Sequence, residues 1–127
     1  AYESAEIIPW SQSNLVEAAK RSSTAIIPIQ LQNKLQFMKP ENRLLIMWRL
    51  GLPCLTSSSP AYKRVAKNAG TDTICETPKQ WESKLSEILE DHDFARNIVA
   101  RGQAYLAENH NSEILLSKWD QAFQSVL

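Results

Sequence analysis

Residues 39–53, KPENRLLIMWRLGLP, constrain the chain more than any other segment. Pro40 suits a first helical position, where its missing N–H is not needed and its φ is already set. Gly51 then stops the helix and Pro53 prevents it from continuing. Between them Leu44, Leu45, Ile46, Met47, Trp48 and Leu50 are apolar almost all round. A helix of that kind must be buried, so its amino terminus is held rigidly by whatever surrounds it.

What surrounds it is legible as strands. Four short apolar runs, residues 6–9, 24–29, 53–57 and 73–76, are continuous rather than alternating, as strands covered on both faces should be. Helical stretches separate them. The expected fold is therefore α/β: a partial Rossmann-like, mostly parallel sheet flanked by helices, with a helix-rich tail.

Several helix boundaries are marked. Ser59-Pro60 opens a helix that Gly70 closes, and Thr77-Pro78, with Gln80 at the capping-box position, opens the next. Asp91 or Asp93 starts another, carrying Phe94, Ile98, Val99, Tyr105 and Leu106. Ser112 is expected to cap a last helix with Leu115, Trp119, Phe123 and Val126 along one side. No repeat or low-complexity tract interrupts this order.

A chain of 127 residues is enough for one real core, and 43% hydrophobic with 22% charged residues is ordinary for a globular protein. No apolar run approaches the roughly 20 residues that span a bilayer. The opening AYESAEIIPW lacks the basic and long apolar regions of a signal peptide. Cys54 and Cys75 read as reduced core thiols of a cytoplasmic protein, with a disulfide left open.

Formal net charge is zero, which disfavours nucleic acid as a partner. The zero hides an asymmetry. Residues 34–67 hold seven basic residues against Glu41 alone, whereas from Thr71 onward five basic residues face ten acidic ones. Local positive charge in a neutral chain suits a small anion; the plainer alternative is a solvated face balanced in three dimensions.

The start of the 39–53 helix gives that anion a place. A helix start leaves its first N–H groups unpaired and carries about half a positive charge. The donors here would be the amides of Glu41, Asn42 and Arg43, with Lys39 at the mouth and Arg43 in the first turn. The competing reading is a helix whose dipole is met by its own Glu41, with Lys39 and Arg43 merely on the surface.

KPENRLLIMWRLGLPCLTSSSPAY resembles the core of the carboxyl-terminal domain of GT-B glycosyltransferases, in the large retaining group-1, family-4-like class. EIIPWS and STAIIPI resemble two preceding strands of that domain, and the stretch from DTICETPKQW to the final SKW resembles its tail. The resemblance implies that residues 1–111 form part of a donor-binding domain and residues 112–127 its carboxyl-terminal helix. It also implies a nucleotide-diphosphate sugar as donor substrate, with no separate cofactor and no metal, lying across the carboxyl ends of the strands. Arg43 and Lys39 would stabilise the charge that develops on the leaving diphosphate. Glu41 and Asn42 would bind it through their amides, and Ser57 and Ser58, in the loop 56–59, would touch the nucleotide. The acceptor would be a glycan, lipid or polysaccharide precursor, and the whole enzyme cytoplasmic or peripheral to the membrane.

Two departures qualify the likeness. Where many members carry paired glutamates this chain has Met38 and Ile46, so a degenerate sugar-nucleotide-binding or protein-interaction module is the alternative. The family's amino-terminal domain and two central strands are missing as well. The resemblance therefore implies a chain inactive alone, with the absent domain as a partner, and exposed strand edges favour an edge-paired or exchanged homodimer. His92 and His110 have no companions at metal-ligand spacing, and the three scattered glycines exclude glycine-rich phosphate loops.

Overall fold

A computed structural model describes residues 4–127. Three parallel strands, β1 (Ala25–Ile27), β2 (Cys54–Ser57) and β3 (Ile74–Cys75), form one sheet in the order β1-β2-β3. Helices α1 (Gln12–Lys20), α2 (Lys34–Phe37), α3 (Asn42–Arg49), α4 (Pro60–Ala69), α5 (Pro78–Glu90), α6 (His92–Asn109) and α7 (Ser112–Val126) fill the connections and the tail. The expected parallel α/β architecture is thus present. The expected first strand is not: residues 6–9 have no ladder partner and are exposed, Ile7 almost completely. Apolar character alone could not make a strand where no neighbour offers hydrogen bonds.

The sheet's two faces carry separate cores. Register pairs Ala25 with Cys54 and Ile27 with Thr56, so alternate residues look the same way. Ile27 and Cys54 pack with Leu44, Leu45 and Trp48 of α3, Tyr62 and Val65 of α4, and Leu106 of α6. On the other face Leu55 and Cys75 pack with Ile88 of α5 and Ile98 of α6. Cys54 and Cys75 therefore sit on opposite faces, and both are free thiols. The disulfide that the sequence leaves open is absent.

Helix α6 contributes to both cores because it passes beneath the amino ends of the strands. There Gln103 Nε2 donates to the Trp48 carbonyl at 3.1 Å, in the last turn of α3. Gly102 lets the indole of Trp48 lie directly on the α6 backbone. Gly51, at φ 77°, and Gly70, at φ 71°, turn the chain back after α3 and α4, as helix-ending glycines do.

The α3 helix itself is amphipathic. Leu44, Leu45 and Trp48 are buried, but Ile46 is 41% exposed and Arg43 and Arg49 face solvent. Burial all round, the expectation from its composition, fails because β1 is an edge strand and the outer side of α3, with Arg43 and Ile46, borders an open cleft beside Trp10 and Ile26. The α7 helix buries no residue at all.

Candidate functional site

In a parallel sheet joined by helical crossovers, each helix that follows a strand starts at the strand's carboxyl end. Helices α3, α4 and α5 therefore begin along one edge of the sheet. Two of those starts are closed by side chains. Ser59 Oγ accepts from the Tyr62 amide at 3.3 Å, and Thr77 Oγ1 accepts from Gln80 at 3.2 Å while Gln80 Oε1 accepts from Glu76 N–H at 2.7 Å. The capping box read at Thr77 is half present: Thr77 caps Gln80, but Gln80 reaches back to the amide of Glu76, one residue outside the cap, rather than to that of Thr77.

The start of α3 is open. Its first helical residue is Asn42 rather than Pro40, and Glu41 is the N-cap residue. Pro40 lies one position outside, where its fixed φ aims the chain into the helix. Glu41 makes no capping bond; its carboxylate accepts instead from Arg64 of α4 at 3.0 Å. Among the described helices α3 alone lacks a side-chain cap, the other six being capped by Ser11, Asn33, Ser59, Thr77, Asp91 and Asn111.

That open turn borders a cleft of about 380 Å³ between the starts of α3 and α4. Its walls include Met38, Lys39, Glu41, Pro60 and Arg64. Arg64 is the cleft side chain that the sequence does not point to. It lies 23 residues from Glu41, and only the packing of α4 beside α3 brings the two together. The one signal available was the excess of basic residues between Lys34 and Lys67.

The first-turn side chains radiate, as a rotation of about 100° per residue requires. Lys39 and Glu41 line the cleft with Arg64. Arg43 points to a different, apolar cleft of about 410 Å³ with Trp10, Ile26 and Pro28. Asn42 lies on the outer side of α3 near His110 and Arg49. The structure thus brings Lys39 and Glu41 together, whereas the side chains of Asn42 and Arg43 stand apart from them.

Of residues 56–59, little reaches the surface. Thr56 is fully buried, and Ser57 Oγ accepts from the Ile29 amide at 2.9 Å, tying the end of β2 to the chain leaving β1. Ser59 serves α4. Ser58 alone is half-buried and turned toward solvent.

Two tyrosines lie within electrostatic reach of the Glu41–Arg64 pair. Burial first, and then the Glu41 carboxylate, raise the Tyr105 phenol above its ordinary value, with Arg64 acting the other way. Burial raises Tyr62 as well, opposed by Arg43. Both phenols therefore stay neutral, and neither lines the cleft. Among the described residues no cluster of metal-ligating side chains occurs, and no helix is long and apolar enough to cross a membrane.

Set against known proteins, the chain matches no family model, no curated protein and no solved structure.

Proposed function

We propose that this chain is the donor-binding, carboxyl-terminal part of a glycosyltransferase that uses a nucleotide-diphosphate sugar. One observation carries the reading. The only uncapped helix start among the described residues opens, at the carboxyl edge of a parallel sheet, onto a cleft that also holds Lys39 and Arg64. Unpaired amides beside a cleft that carries two cations suit an anion, and the carboxyl edge of such a sheet is where nucleotides bind.

In this reading the amides of Asn42 and Arg43 hold the diphosphate, while Lys39 and Arg64 meet the charge that grows on it as the glycosidic bond breaks. Glu41 orients Arg64 across the mouth. The Arg43 side chain has a lesser part, because it faces the other cleft. The sugar passes to an acceptor held by a further domain, so this chain alone binds without turning over. Two buried free thiols fit a reducing, cytoplasmic setting, at or near the membrane where a lipid acceptor is used.

A second reading, a degenerate sugar-nucleotide-binding or interaction module, is favoured by Met38. It is 70% exposed at the cleft, where a hydroxyl-binding acid would be useful. Calorimetric titration with UDP, GDP, TDP and CDP tests the binding shared by both. We expect saturable binding of one diphosphate, lost in the Lys39→Ala, Arg64→Ala double variant. Heat-silent titrations with all four would remove the anion site and the transferase reading with it. Transfer by the chain joined to its acceptor domain separates an enzyme from a degenerate binder.

A further inference from the structure

The chain exposes two apolar surfaces that complement each other. One is the stripe on α7, where Leu116, Trp119 and Phe123 are each more than 60% exposed. The other is a furrow along the solvent side of α3. It joins the apolar cleft under Trp10 and Ile26 to a smaller one beside His110, with Ile46 lining both. Trp10 is 82% exposed and Ile26 54%, although Ile26 sits within a strand. Single exposed apolar residues are ordinary, but two contiguous patches of this size mark contact surfaces.

Charge matches them further. Arg43 and Arg49 flank Ile46 on α3, about 9 Å apart along the helix at 1.5 Å per residue. Glu113 and Asp120 lie on one flank of the α7 stripe beside Leu116, about 10.5 Å apart by the same measure. None of the four forms an ion pair among the described residues. Two arginines and two carboxylates at nearly equal spacing, each set bracketing apolar residues, are complementary in sign and in length.

The α7 of its own chain does not fill the furrow, in which Ile46 remains 41% exposed. Asn111 holds the corner between α6 and α7 from both sides: its Oδ1 accepts from the Ile114 amide at 2.9 Å, and its Nδ2 donates to the Ala107 carbonyl at 2.8 Å. His110 packs its ring on Tyr105, with centroids 5.7 Å apart. The α7 helix buries no residue, so its own chain leaves the stripe uncovered.

We propose that two copies of this chain pair by exchange, each laying α7 into the furrow along α3 of its partner. The two contacts are related by a two-fold axis, so every stripe and every furrow is used once and the assembly closes as a dimer. Area supports closure. Trp119, Phe123 and Trp10 are side chains of about 150–250 Å² each. At their observed exposure, two symmetric contacts remove roughly 600–1,000 Å² from these three side chains alone, before Leu116, Ile26 and Ile46 are added, against the ~1,000 Å² that a specific interface must clear. The pairing is independent of any nucleotide.

Sedimentation velocity on the full chain across a concentration series tests it. A dimer is expected, and Trp119→Glu with Phe123→Glu should give a folded monomer, since neither residue belongs to a core. Arg43→Glu should weaken the dimer by about tenfold or more, and adding Asp120→Arg should recover most of the loss by restoring the pair with reversed sign. A chain monomeric at every concentration overturns the proposal. So does a dimer indifferent to the α7 double substitution, or a charge reversal that Asp120→Arg leaves uncorrected. Circular dichroism of each variant confirms that the fold is intact.

Discussion

Gly102 lies flat on the indole of Trp48, so closely that no β-carbon fits between them. Trp48 is fully buried and its ring has nowhere to retreat. Gly102→Ala would gain up to ~1 kcal/mol of helix propensity but incur about 1–3 kcal/mol of overpacking, toward the upper end here because the obstacle is an aromatic ring. Net destabilisation of about 1–2 kcal/mol is expected in urea unfolding. A stabilised variant would show that α6 does not sit where the structure puts it.

The Glu41–Arg64 pair is expected to matter more for the proposed diphosphate binding than for stability. Arg64 is more than half exposed, so breaking the pair should change folding by no more than ~1 kcal/mol. For an anion in the cleft the two partners act with opposite sign. Glu41→Gln should tighten nucleoside diphosphate binding by roughly fivefold, the ~1 kcal/mol of one charge at ~4 Å under water-like screening. Arg64→Ala should weaken it. Equal effects from both variants in calorimetry would show that the pair matters only for structure.

The helix starts at the carboxyl edge differ in what they lose on substitution. Ser59 is fully buried, so Ser59→Ala leaves the Tyr62 amide without its acceptor and should lower stability by about 1–2 kcal/mol. Thr77 is exposed, and water can replace its oxygen, so Thr77→Ala should cost about 0.5–1 kcal/mol. Paired denaturation curves check the order of the two.

Stability should fall at alkaline pH. Burial pushes the Cys54 thiol up to about 12, and burial also raises Cys75, with Lys84 opposing. In the unfolded chain both thiols ionise near their ordinary value of about 8.5. Below that value both states hold the proton and no stability is lost. Above it the unfolded state sheds protons that the folded state keeps, so stability declines as pH climbs toward 12. Cys54→Ala should flatten this decline, although the lost sulfur lowers stability at neutral pH. At pH 8 both thiols of the native chain should resist a disulfide reagent and react on unfolding.

Much of the fold was legible because its signals are local. Continuous apolar runs marked the three strands that formed, and Ser59-Pro60, Gly70 and Thr77-Pro78 with Gln80 marked helix ends through bonds spanning only a few residues. Reading failed where an outcome depended on distant partners. Ile7 and Ile8 have strand-like character and no strand to pair with. Pro40 suits a first helical position, yet the helix begins two residues later, at Asn42, with Glu41 at the cap and its carboxylate on Arg64. Ser112 suits the cap of α7 by type, whereas Asn111 fills that place, its Oδ1 accepting from the Ile114 amide and its Nδ2 donating back to Ala107 of α6. At the site, Lys39 and Glu41 were legible as neighbours. The divergence of Arg43 and the arrival of Arg64 depend on how α3 and α4 rotate and pack.

Helix α6 gives Ile98 to one core and Leu106 to the other. A sheet only three strands wide would otherwise separate two small apolar clusters, each free to melt at its own temperature. Threaded through both, α6 acts as a bolt: withdrawing it loosens α5 on one side and the anchored end of α3 on the other at the same moment. The chain should therefore give a single sharp thermal transition, because α6 runs from the amino ends of the strands, at Gln103, to the start of α3, where His110 lies beside Asn42.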